Sequence, residues 1–238
     1  MVILKNIASA GQLLQTLPIP MDTRGGNPGS WLWIPGLMVG GVVATMGLSA
    51  YWLPLLAVGG LMVFAEILIT GGLHLDGWAD CWDGWGCRHN PDKILEAMKD
   101  SRIGSLGAGA LIVLLITKIS LYSSLPSVML LLPIHIASRA VIPLCARLLP
   151  GRENGLGATF ANQITVLHVV INIVIAALGL RLLAGPLGLA ALVIALVNGL
   201  VFAWYFAKLA QGLGGDILGG AQEIALITLL MVMTGGGA

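Results

Sequence analysis

The chain has 238 residues, of which 57% are hydrophobic and only 10% charged. A water-soluble domain carries about a quarter charged residues, so composition excludes a soluble enzyme and predicts an integral membrane protein. The formal net charge of +1 leaves no strongly basic face and argues against a nucleic-acid partner.

Residues 1–20, MVILKNIASAGQLLQTLPIP, lack the basic region, long apolar run and small-residue cleavage site of a signal peptide. Val2, Ile3, Ile7, Ala10, Leu14 and Leu17 instead fit a short amphipathic helix lying on the membrane and ended by Pro18 and Pro20. Apolar stretches long enough to cross the hydrocarbon core follow at 31–51, 53–73, 105–123, 126–148, 164–181 and 187–208. A shorter stretch at 223–234 reads as a re-entrant or tilted segment. Trp31, Trp33, Tyr51 and Trp52 stand at span ends, as interfacial anchors do. The 33 glycines, spread through spans and loops, permit close helix packing. No internal repeat or low-complexity linker divides the chain, so residues 1–238 read as one integral membrane domain. The predicted fold class is all-α, a polytopic transmembrane helix bundle of about six or seven spans, with its cytoplasmic loops forming the site. Cys81, Cys87 and Cys145, an odd number in or near apolar sequence, form no disulfide framework.

If the spans alternate, the N-terminus and the loops 74–104, 149–163 and 209–222 share one face. Lys5, Arg24, Arg88, Lys93, Lys99, Arg102, Arg147, Arg152 and Lys208 lie in or beside that group, whereas the opposite connections carry essentially only Arg181. The positive-inside rule makes the first face cytoplasmic, so every long polar loop converges there.

Residues 74–87, HLDGWADCWDGWGC, follow an apolar span directly. On a helix Asp80 falls about 40° and Asp83 about −20° from Asp76, so the three carboxylates form one stripe. Trp78, Trp82 and Trp85 fall at about 180–240°, an aromatic stripe expected to face the membrane interface. Carboxylates at i, i+4 and i+7 repel one another. A divalent cation reverses that penalty, and all-oxygen donors suit Mg²⁺ best. Gly77, Gly84 and Gly86 are expected to leave room for close approach of a bulky anionic ligand. A solvated loop is the bland alternative, disfavoured because acids at the membrane are usually functional. A zinc reading from His74, Cys81, Cys87 and His89 fails because their spacing matches no usual framework.

Downstream, NPDKILEAMKDSRIGSLG offers an N-cap at Asn90, proline at the first helical position and a short amphipathic helix. The helix ends in Lys99, Asp100, Ser101 and Arg102, followed by glycines, a set of donors that suits phosphate. Ordinary C-terminal capping by Lys and Arg is the competing account.

TGGLHLDGWADCWDG (70–84) followed by MKDSRIGSLG (98–107) resembles the cobalamin synthase family, the adenosylcobinamide-GDP ribazoletransferases of prokaryotes. LPIP (17–20), Ser138-Arg139, GLGATF (155–160) and GLGGDILGGAQE (212–223) agree in order and spacing, so the resemblance runs along nearly the whole chain. Trp78 replaces the family's usual leucine and Gly215 its usual threonine; neither change touches a carboxylate. The resemblance implies transfer of the phosphocobinamide moiety of adenosylcobinamide-GDP to α-ribazole or its 5′-phosphate, with release of GMP and Mg²⁺ as cofactor. It also implies a multi-pass protein of a prokaryote's cytoplasmic membrane, with a lipid bilayer around it and room for a homo-oligomer. On this reading 74–104 is the catalytic segment facing the cytoplasm.

In that scheme Asp76, Asp80 and Asp83 are the expected Mg²⁺ ligands, with Asp100 or Asp216 as further candidates and Asp100 as a candidate proton acceptor. Lys99, Ser101, Arg102 and Arg139 are candidate phosphate contacts. Asn154, Gly155 and Gly157 are candidates for holding nucleotide or ribazole through backbone groups, though a plain turn explains them nearly as well. Arg139 has a structural alternative, pairing with an acid inside the bundle. Glu66 and Lys118 lie within predicted spans and are expected to pair or face a polar cavity, and His135 shares the helical face of Arg139. The enzyme rivals are a CDP-alcohol phosphotransferase, whose motif opens like Asp80-x-x-Asp83-Gly84, and an aspartate-rich prenyltransferase. A transporter is the rival of another class, but acid gathered at one end of the bundle favours chemistry there.

Overall fold

The computed structural model describes residues 27–152 and 162–235, together with Lys5, Asn6, Ala8 and Ala10. The amphipathic helix expected over 1–20 and the candidates Asn154, Gly155 and Gly157 therefore lie wholly or almost wholly outside the described residues. A short 3-10 turn, Gly29–Trp31, leads into α1 (Trp33–Gly47). There follow α2 (Leu55–Thr70), α3 (Leu73–Gly86), α4 (Pro91–Lys99) and α5 (Ser105–Ser123). The remaining helices are α6 (Leu131–Arg139), α7 (Val141–Leu148), α8 (Val166–Leu209) and α9 (Gly215–Gly235). Among the described residues the only β pairing is an isolated bridge between Gly151 and Leu213, so the fold is all-α.

Gly29–Tyr51, Ser105–Ser123, Val128–Leu148, Val166–Leu209 and Gly215–Gly235 are each long and apolar enough to cross a membrane; α2 and α3 meet that condition only as a pair. Leu55, Leu56, Phe64 and Leu68 on α2 and Val193, Val197 and Val201 on α8 are exposed. Contiguous apolar faces of that kind are satisfied by lipid rather than water.

Three features depart from the sequence reading. The stretch at 53–73 is not one straight span, because Gly71 (φ 62°) and Gly72 (φ 73°) adopt left-handed backbone that glycine alone enters without cost. The chain turns by 94° there, so α3 lies across the end of the bundle instead of continuing through it. The second departure is α8, one helix where two spans were expected. It breaks at Gly185 (φ 63°, ψ −148°) before Pro186. A straight helix would separate residues 180 and 188 by about 12 Å, yet a Cβ on Gly188 would stand 2.5 Å from the Leu180 carbonyl oxygen. The helix therefore doubles back, and its two arms correspond to the expected pair. Third, the last helix starts at Gly215 rather than 223, because the glycine-rich segment 215–222 is helical and buried against its neighbours. That extension gives α9 21 residues, a full span.

A buried ion network ties four helices together. Lys118 Nζ of α5 lies 2.8 Å from Glu66 Oε1 of α2 and 2.9 Å from Glu223 Oε2 of α9. Tyr122 O–H donates to Glu66 Oε2 at 2.8 Å and lies 3.1 Å from His135 Nε2 of α6. Arg139 Nη1 donates to the His135 carbonyl oxygen at 3.1 Å and sits within electrostatic reach of both carboxylates. Two acids thus meet two permanent cations, the balance that burial of charge requires. Glu66 and Lys118 pair as their position inside spans suggested.

Candidate active site

The helical period of α3 brings Asp76, Asp80 and Asp83 to one face, as predicted, but on a helix rather than in a loop. The opposite stripe packs against α8. Trp78 is buried and stacks on Phe202 of α8 with centroids 5.6 Å apart and planes at 9°. Trp82 meets Phe206 edge-on at 5.9 Å. The 94° turn lays α3 over α8 and α9, so packing of the tryptophans against α8 fixes the direction of the acid face.

The α3 glycines likewise serve packing, not ligand access. A Cβ on Gly77 would stand 2.6 Å from the Asp216 carbonyl oxygen, and one on Gly84 2.6 Å from Met98 Cγ. Their absence lets α9 and α4 approach α3 closely. The first contact carries Asp216, in the first turn of α9, to the acid stripe.

Asp76 and Asp80 line a cavity of about 200 Å³ together with Lys99, Asp100, Ser101 and Arg102. Asp76, Ala79 and Ile103 also line a neighbouring cavity of about 440 Å³ whose other walls are Gly71, Gly72, Leu73, Leu75 and Leu111. Asp76 therefore stands between two compartments, one lined by charged side chains and the other by glycine and aliphatic residues. Burial, and then the charges of Asp76, Asp216 and Asp83, push the Asp80 carboxyl up to about 7. Asp80 is thus repelled by three other carboxylates, a crowding that the fold holds in place.

The remaining predicted residues divide. Asp83 turns away from the cavity: its Oδ2 accepts from the Gly104 N–H and its Oδ1 from the Gly107 N–H, each at 2.7 Å. It caps the start of α5 and anchors the end of the Lys99–Arg102 segment to α3. Asp100 and Arg102 clasp each other, Arg102 Nε donating to Oδ1 at 3.0 Å and Nη2 to Oδ2 at 2.8 Å. Those bonds hold the Asp100 carboxyl down at about 2, which makes it a weak proton acceptor. Arg139 belongs to the buried ion network, not to the cavity. Asn90 stands at the N-cap of α4 with Pro91 behind it, although its side chain makes no capping bond.

The loops after α7 and before α9 meet as well. Arg152 N–H donates to the Leu213 carbonyl oxygen at 3.0 Å, and Leu213 N–H to that of Pro150 at 2.9 Å. The described residues 150–152 therefore meet the segment before α9, and α9 itself contacts α3 at Gly77. Among the described residues no three His, Cys, Asp or Glu side chains converge closely enough to hold a metal ion unaided.

The sequence model of one family, cobalamin-5-phosphate synthase, matches residues 6–234. The chain belongs to the cobalamin-5-phosphate synthase family. Three adenosylcobinamide-GDP ribazoletransferases illustrate the likeness. That of Mesorhizobium japonicum is 32% identical, covering 97% of this chain and 93% of its own. That of Brevibacillus brevis is 31% identical over 84% of this chain and 82% of its own. That of Clostridium botulinum (strain Okra) is 34% identical over 73% and 72%. No solved structure matches. For a cobalamin-5-phosphate synthase, the segments that carried the resemblance, 70–84 and 98–107, are the ones that border the acidic cavity.

Proposed function

We propose that the cavity between α3 and the Lys99–Arg102 segment is where the family's reaction takes place. By family and by its relatives' names the chain is a transferase of cobalamin biosynthesis, an adenosylcobinamide-GDP ribazoletransferase. The observation that carries the assignment is the single cavity in which Asp76 and Asp80 join Lys99, Asp100, Ser101 and Arg102. Acid for a cation and basic groups for phosphates are what a nucleoside-diphosphate substrate needs.

The donor set fits Mg²⁺. It is all oxygen, and its carboxylates crowd until Asp80 resists ionising. Mg²⁺ is commonly bound by one or two carboxylates plus substrate phosphates, with waters completing the shell, so a tight trio is not required. Asp76 and Asp80 would hold it, with Asp216 beside them and Asp83 fixing the stripe through its bonds to Gly104 and Gly107. Bound there, Mg²⁺ supplies neutralisation of charge on the diphosphate and the departing GMP.

The chain's own residues orient the reactants. Lys99 and Ser101 offer donors to the diphosphate, and Arg102, stiffened by Asp100, presents a fixed positive charge at the rim. The 3′-hydroxyl of α-ribazole, or of its 5′-phosphate, attacks the phosphorus on the cobinamide side and GMP leaves. Asn154, Gly155 and Gly157 remain candidates for backbone contacts to nucleotide or ribazole. The bias of Lys and Arg supports a cytoplasmic orientation for this end of the bundle, and the bacterial relatives support a prokaryote's cytoplasmic membrane.

Purified protein in detergent, given Mg²⁺, adenosylcobinamide-GDP and α-ribazole, is expected to release GMP and form adenosylcobalamin in equal amounts, and EDTA to stop both. Folded protein that yields neither product with the metal present would contradict the assignment.

A further inference from the structure

Of the arginines near the acidic cavity, two have donors engaged within the protein. Arg102 puts its Nε and Nη2 on Asp100, and Arg139 puts Nη1 on the His135 carbonyl oxygen. Arg152 differs. Its Nε and Nη2 are both buried, and neither finds an acceptor. These two nitrogens form the edge with which arginine grips a carboxylate or phosphate through two parallel bonds, the same edge that Arg102 presents to Asp100. A buried guanidinium N–H without an acceptor is costly and calls for a missing partner.

The backbone holds this edge in place. Arg152 N–H is bonded to Leu213, and Gly212, at φ 138°, lets the two strands touch: a Cβ there would stand 2.7 Å from Arg152 Cα. The guanidinium then lies over the turn that begins α9, with Nη2 3.3 Å from where a Gly214 Cβ would be. One residue further, Gly215 is exposed and a Cβ there would meet nothing within 4 Å, so the chain is open one residue beyond the contact with the guanidinium. Asp216 is within electrostatic reach of Arg152 and of Asp76, yet it is not the acceptor of either unpaired nitrogen.

We propose that Arg152 is a phosphate-binding residue of the active site, gripping the substrate diphosphate through its Nε and Nη2 from the α7–α8 side of the acid cluster. Lys99 and Arg102 approach from the α4–α5 side. The two phosphates would then have cations on both flanks of the acid cluster. The inference rests on the cavity assignment above for the identity of its anion. The sequence alone could not single out Arg152, since it reads as one more positive charge on the cytoplasmic face.

The test is steady-state kinetics on purified Arg152→Gln, with inorganic pyrophosphate as a competing probe. The Michaelis constant for adenosylcobinamide-GDP is expected to rise about tenfold to a hundredfold, and the inhibition constant of pyrophosphate by a similar factor. The constant for α-ribazole stays within about twofold, since that substrate lacks the diphosphate. Arg152→Lys, which keeps charge but not the two-pronged edge, recovers only part of the loss; should Arg152→Gln fail to fold, it serves as the variant measured. An unchanged constant for adenosylcobinamide-GDP would overturn the proposal. So would equal losses toward both substrates with a lowered unfolding temperature, the mark of a structural role. Asp76→Asn separates the two layers. If it keeps activity while Arg152→Gln shows its selective defect, the cavity assignment fails and the arginine contact stands.

Discussion

Asp76→Asn is expected to cut turnover at least about a hundredfold, the scale of losing one charged group that acts on the transferring phosphates, while the protein stays folded in the membrane. Asp76 is exposed and borders both cavities, so an isosteric amide disturbs no packing. It also removes one of the charges that push Asp80 toward its neutral form. The metal-free variant should therefore unfold at the same temperature as the parent or a higher one, because a repulsion has gone. Mg²⁺ stabilises a protein that binds it by an amount that grows with the logarithm of its affinity, so the upward shift that Mg²⁺ gives the parent should shrink in the variant. Thermal unfolding with and without Mg²⁺, beside GMP release, reads all three effects. Full activity in Asp76→Asn would remove this residue from the site.

The largest effect on stability is expected at Lys118. Its ammonium lies between Glu66 and Glu223 at 2.8 and 2.9 Å and is 1% exposed. Lys118→Met leaves two buried carboxylates facing each other without their shared cation. Breaking a buried pair from one side costs about 3–5 kcal/mol. The loss should appear as a lowered denaturation midpoint in mixed micelles. Removing one acid with it, as Lys118→Met and Glu223→Gln together, should recover most of it, since Glu66 and Arg139 then still balance and the uncompensated charge rather than the missing bridge carries the cost. A single Lys118→Met that unfolds like the parent would contradict this account of the network.

Spans and motifs could be read from the sequence because each rests on a local signal. Apolar runs and helical periodicity placed the bundle, and the same periodicity put Asp76, Asp80 and Asp83 on one stripe. The spacing of the stripe and of Lys99–Arg102 also carried the family resemblance that the match over residues 6–234 bears out. What stayed hidden depended on contacts distant in sequence. The break at Gly71–Gly72 sends α3 across the bundle, and from that single turn follow the burial of Trp78 on Phe202 and the meeting of Gly77 with Asp216. Asp83 looked like its neighbours on the stripe, and only the position of α5 shows that Gly104 and Gly107 occupy its oxygens. In the sequence Arg139 stands inside an expected span and Arg152 in the loop that follows it. Their opposite fates, one bonded to the carbonyl of His135 and the other with an open edge beside α9, are set by which helix packs behind each.

The central claim is that the α3 carboxylates bind the metal on which transfer depends, and Mn²⁺ binding followed by electron paramagnetic resonance tests it most directly. The parent protein is expected to bind Mn²⁺ saturably and release it to excess Mg²⁺. The Asp76→Asn, Asp80→Asn double variant, confirmed folded by its unfolding transition, is expected to leave the ion free in solution. Mn²⁺ affinity unchanged in that double variant would contradict the assignment of the metal to α3.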